Sequence, residues 1–269
     1  MAQIEQVQAE VDRRWSGMDM PSWPDPHPGA REPAPGEYSQ VTDPERYGIV
    51  HARARLWAQV LVEHGARAEQ LTPRPVPDWP EGPPAPVDRL MRVDPPSGAA
   101  GALPLYLCET DGSEAEASAG VGNQQGDDDG RSPDTAVPPS LRIAWGTTDV
   151  VLDVQPDCGC DACDSGSADL LEAVDDTVRS ALVDTVRLVG VRRGPGRSAQ
   201  RQWSLTWHAD GNTQGSGTFP GGRGLRRHQR DRDAWRRMNA ACERIARGEE
   251  PDLPRGTQVT VGRAWFPQA

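Results

Sequence analysis

Three cysteines fall within six residues of the stretch PDCGCDACDSGSADLLEAV, residues 156–174. Cys158, Cys160 and Cys163 form a C-x-C-x-x-C pattern on a glycine-containing turn that opens into a helical pattern, so the three sulfurs can converge on one point. Thiolates are natural ligands of zinc, and a structural zinc site closes with four of them. The spacing therefore predicts a structural thiolate site for Zn that must borrow one ligand from elsewhere. A second chemistry fits the same residues. Cys160 and Cys163 make a C-x-x-C dithiol ahead of a helix, where the positive helix end lowers a thiol pKa, as in a thiol redox protein or sensor. Against this, Asp157, Asp161 and Asp164 bring negative charge to the thiols and disfavour the thiolate form. The third option is a shaped turn, with Asp164 or Ser167 capping the helix and the thiols packing as small hydrophobes.

The missing ligand has to come from the strands. Leu103, Leu105 and Leu107 alternate, as do Leu141, Ile143 and Trp145, and then Val150, Leu152 and Val154. These runs predict strands at 103–108, 141–145 and 150–154, the last two joined as a hairpin through GTTD. If the three are antiparallel neighbours, the first and third end at the same side of the sheet. Cys108 then lies at the end where the cysteine turn begins, which makes it the expected fourth ligand, with His208 next. Cys242 falls on the apolar face of a helical pattern and reads as core.

Four helices are expected. The first covers 3–15, with Ile4, Val7 and Val11 on one face. The second starts at Asp43 as N-cap with Pro44 in the first turn, carries Tyr47, Val50, Ala54, Trp57 and Leu61 inward, and stops at Gly65. The third follows the cysteines with Leu170, Leu171, Val174, Val178 and Leu182. The fourth spans 231–247. Further strands are expected at 185–191, at 202–207 with Trp203, Leu205 and Trp207 alternating, and in the terminal TQVTVGRAWF. Strands in hairpins followed by helices predict an α+β fold, an antiparallel sheet packed against two to three helices with an N-terminal helical, proline-rich wrap. A single domain over 1–269 is expected, with irregular proline-rich segments at 16–41 and 72–98 and a disordered acidic insertion at 109–139.

The net charge of −11 over 269 residues is unevenly placed, and every basic residue is arginine. Residues 109–139 carry a net −7, whereas residues 187–237 carry a net +9. Arg226, Arg227 and Arg230 make the basic strip a candidate phosphate or nucleic-acid surface, since arginine pairs bidentately with phosphate. The sequence pI near 5.0 argues against a dedicated nucleic-acid binder. No run of 18 apolar residues predicts a membrane span, and the polar N-terminus is unlike a signal peptide. Five cysteines, an odd number, suit a reducing cytoplasm rather than a disulfide framework. No Ser-His-Asp or H-E-x-x-H constellation is legible, so no catalytic residues are expected.

Two groups of residues resemble an uncharacterised actinobacterial protein family. They are WPDPHP with EYSQVTDPERYGI near the N-terminus, and PDCGCDACDSGSADLLEAVDDTV in the middle. The resemblance implies a shared fold over most of the chain outside the acidic insertion and carries no activity with it.

Overall fold

The computed structural model describes residues 2–29, 31–77, 84–112, 136–192, 200–217 and 227–266. They form two compact units, one of residues 1–96 and 104–178 and the other of 97–103 and 179–269. The first unit begins with helix α1 (Ala2–Trp15), then 3-10 turns at Pro35–Ser39 and Pro44–Gly48 lead to helix α2 (Ile49–Glu63). Strands β1 (Arg67–Leu71), β2 (Val76–Pro77), β3 (Pro84–Ala85), β4 (Arg89–Asp94), β5 (Leu105–Thr110), β6 (Ser140–Trp145) and β7 (Val151–Gln155) follow. A short 3-10 turn, Asp161–Cys163, precedes helix α3 (Ser167–Ala181), whose last turn belongs to the second unit.

The first unit is built on an antiparallel sheet of order β1-β4-β5-β6-β7. The three strands legible from alternation are neighbours here, Cys108 facing Arg142 and Arg142 facing Val154. Both faces are covered, and all but the last residue of β5 are buried. One face holds Leu90, Tyr106, Cys108, Ala144, Val151 and Val154 under Val76 and Val87. The other carries Glu109, which Arg55 of α2 reaches, so α2 lies over that face. Each fully buried aliphatic or aromatic side chain stabilises the fold by roughly 1.5–3 kcal/mol relative to exposure.

Ion pairs tie the helices to one another. Asp175 of α3 accepts from Arg53 Nε at 2.8 Å, from Trp57 Nε1 at 2.7 Å and from Gln8 Nε2 at 3.0 Å. Arg53 also pairs with Asp12 and lies 5.4 Å from the Trp15 ring. One buried carboxylate thus joins α1, α2 and α3.

The second unit holds β8 (Thr185–Arg192), β9 (Gln200–His208), β10 (Thr213–Gly217), helix α4 (Arg227–Ala246) and β11 (Thr257–Gly262). Its antiparallel sheet has the order β10-β9-β8-β11. Val186, Leu188, Trp203 and Leu205 pack with Met238 and Cys242, and Trp207, Trp235 and Ile245 close the cluster. Trp203 and Cys242 are core residues, as their periodicity implies, and Trp207 and Trp235 are partly buried against them.

Several expectations need correction. Asp43 precedes Pro44 at the N-cap of a 3-10 turn rather than of α2, and it sits at φ +47° without a side-chain capping hydrogen bond. Proline keeps residues 72–98 from reading as strand, yet β4 lies inside them, because Leu90 and Val93 are buried between β1 and β5. β1 and β10 escape the pattern because almost none of their residues is buried. The expected disordered insertion lies outside the described residues from 113 to 135, but Glu109 and Thr110 are the last residues of β5.

Asp175→Ala would leave Arg53 and Trp57 without their buried acceptor and is expected to cost about 3–5 kcal/mol in urea denaturation. Asp12→Ala, at a half-exposed carboxylate, should cost no more than about 1 kcal/mol. Glu109 supplies a pH test. Burial would raise its pKa, but the hydrogen bonds from Arg55 and Arg89 outweigh it and hold the carboxyl below the usual range. Its stabilisation is therefore complete above the unfolded value of about 4.3 and is lost as pH falls through the lower folded value. Glu109→Gln should lower stability at neutral pH and flatten the decline in acid; an unchanged acid slope would refute the assignment.

Candidate metal centre

The cysteine loop leaves β7 and enters α3. Within it the 3-10 turn is closed by Cys163 N donating to the Cys160 carbonyl at 3.0 Å. The sulfurs of Cys158, Cys160 and Cys163 all lie within 4.8 Å of one another. Cys158 and Cys160 share an S–H···S contact at 3.2 Å. Cys158 and Cys163 are exposed, and Cys160 is half-buried, its thiol the most enclosed of the three. Zn–S bonds of about 2.3 Å place tetrahedral sulfurs about 3.8 Å apart, so the three can hold a metal ion after a small opening of the Cys158–Cys160 contact.

The N-terminal segment holds this loop in place. Asp161 donates its backbone N–H to the Gln40 carbonyl at 2.8 Å. Its carboxylate accepts from Thr42 N and Thr42 Oγ1, both at 2.7 Å. Asp164 accepts from Arg46 at 2.6 Å, Trp23 Nε1 at 3.0 Å and Gly166 N at 2.9 Å. The Arg46 guanidinium also lies 4.7 Å from the Trp23 ring and 5.3 Å from the Tyr47 ring, adding cation–π attraction to the ion pair. Ser167 donates its N–H to the Trp23 carbonyl, and its hydroxyl meets Trp23 N and O at 3.1 Å.

Both glycines of the motif mark close approaches. A Cβ at Gly159 would stand 2.2 Å from Pro138 Cγ. Gly166 has φ +90°, and a Cβ there would stand 2.6 Å from Asp25 N. The stretches WPDPHP, EYSQVTDPERYGI and PDCGCDACDSGS therefore meet in space around the three sulfurs' loop.

The flanking aspartates, expected to repel thiolates, have protein partners of their own. Asp164 is neutralised by Arg46, Asp161 is held by Thr42, and Asp157 accepts the Cys158 N–H at 2.7 Å. The thiols differ among themselves. Burial opposes ionisation of Cys158, but the Cys160 N–H and the thiols of Cys160 and Cys163 outweigh it and lower its pKa. Burial of its sulfur and the hydrogen bonds to Cys160 and Cys158 push Cys163 up to about 12.

Of the four ligands expected from the sequence, the structure brings these three together and places Cys108 elsewhere. Its side chain is fully buried between Leu90, Tyr106 and Val154, and burial pushes its thiol up to about 12. His208 is buried in the second unit, its Nδ1 2.7 Å from the Ser180 carbonyl and 2.9 Å from Thr185 Oγ1, and burial lowers its pKa. Arg226 lies outside the described residues, and Arg227 and Arg230 occupy the first turn of α4. Trp23, Thr42 and Arg46 were not singled out by periodicity or chemical type. Their only sequence signal is membership of the two N-terminal stretches quoted above.

Arg46→Ala removes a charged hydrogen bond of the kind worth about 1.5–3 kcal/mol. Amide exchange over residues 161–167 is expected to accelerate at least about tenfold, with β8 and β9 unchanged. Equal protection in both proteins would mean that Arg46 does not hold the loop.

The chain matches the Family of unknown function (DUF6226) over residues 10–269 and belongs to that family. No curated protein and no solved structure matches it. Among the described residues no helix is long and apolar enough to cross a membrane.

Proposed function

We propose that this member of a family of unknown function holds one zinc ion in the Cys158, Cys160 and Cys163 turn, with a solvent ligand completing the tetrahedron in place of the expected Cys108, and that the ion serves to fix the loop. The convergence of the three sulfurs within 4.8 Å carries the proposal. The surroundings support a structural role. Asp161 and Asp164, on either side of Cys163, are the residues that receive Thr42, Arg46 and Trp23. A metal that fixes the loop therefore also fixes the acceptors on which the N-terminal segment docks. Cys108 remains a core residue in this proposal, because drawing its sulfur from the apolar cluster would open a cavity. Unpaired thiols at all five cysteines suit a reducing compartment such as the cytoplasm.

Protein purified without added metal is expected to carry about one zinc per chain by elemental analysis. Cys158→Ser, Cys160→Ser and Cys163→Ser should each abolish retention, and Cys108→Ala should preserve it. Added zinc should raise the thermal midpoint of metal-stripped protein by mass action. A zinc-free preparation whose midpoint zinc does not move would exclude the site.

A further inference from the structure

The 3.2 Å contact between Cys158 and Cys160 has a chemical consequence of its own. A disulfide bond is about 2.05 Å long, so the two sulfurs need to approach by only about 1.2 Å. Gly159 is the one residue between them, and Cys158 is exposed to a reactant from solvent. The loop is braced downstream of the pair by Asp161 and Asp164, which keeps the two thiols adjacent. C-x-x-C spacing favours a Cys160–Cys163 pair; the observed contact favours the shorter C-x-C pair.

We infer that Cys158 and Cys160 form an exchange-active dithiol that reduces low-molecular-weight disulfides and closes a Cys158–Cys160 disulfide. The Cys158 thiolate attacks one sulfur of a disulfide RSSR. The RS–SR bond breaks, RS⁻ leaves, and a mixed disulfide forms on Cys158. Cys160, after losing its proton to solvent, attacks Cys158 Sγ and displaces the second RS⁻. Two protein thiols lose two protons and two electrons, and RSSR becomes two RSH. Cys163 remains a thiol. Closure removes two of the three sulfurs that a metal would use, so oxidation and metal retention at this turn exclude one another.

The test uses the full chain, stripped of metal with a chelator, equilibrated across mixtures of reduced and oxidised glutathione and then acid-quenched and alkylated. Fragment masses should locate a Cys158–Cys160 disulfide with Cys163 and Cys108 alkylated. Cys160→Ser should trap glutathione on Cys158, and Cys163→Ser should shift the midpoint ratio by less than about threefold, since the third thiol takes no part. A dominant disulfide containing Cys163, or only mixed disulfides in the unsubstituted protein, would overturn the inference. Zinc is absent from this experiment, so its outcome is separate from that of the metal proposal.

Discussion

The Asp164 carboxylate is almost wholly withdrawn from solvent, and a buried charge is tolerated only where donors surround it. One donor is local, the Gly166 N–H. The others, Arg46 and the Trp23 indole, come from more than a hundred residues earlier in the chain. That requirement draws a proline-rich segment with little regular structure onto the cysteine loop. Prolines suit such a segment, since they reduce the entropy lost on ordering and donate no N–H that would need a partner. The arrangement of Gln40, Thr42 and Trp23 along the loop follows from the docking.

The same solution recurs at the two other buried carboxylates among the described residues of this unit. Asp175 gathers Arg53, Trp57 and Gln8, and Glu109 gathers Arg55 and Arg89. A chain whose only side-chain cations besides histidine are arginines can build such sites efficiently, because one planar guanidinium reaches two acceptors at once. Arg53 does so between Asp175 and Asp12, and Arg89 between Glu109 and Asp111. Pairs of this kind add little over an apolar substitute but make each position intolerant of losing one partner.

Much of the fold was legible where apolar residues follow a simple period. The β5–β6–β7 neighbours and the Trp203-Leu205-Trp207 strand form where the sequence alternates, although burial there reaches both faces, and α1 and α3 show the expected helical stripe. Legibility failed where the pattern is interrupted or burial is slight. β4 is hidden among prolines, β1 and β10 bury too little to leave a stripe, and Asp43 adopts a left-handed conformation that its local sequence, a good helix entry, does not announce. Strand order alone brings Cys108 toward the cysteine loop. The pleat then directs its side chain to the face shared with Tyr106 and Val154.

By itself the sequence determined that Cys158, Cys160 and Cys163 share one short turn before a helix, because three thiols separated by one and two residues have nowhere else to go. It also determined an antiparallel α+β framework, since the alternation and its hairpin spacing are local. Only the tertiary structure decided which thiols touch, which aspartates are neutralised, and that three separate stretches enclose the same loop. Those outcomes depend on contacts between residues far apart in the chain, and no local period encodes them.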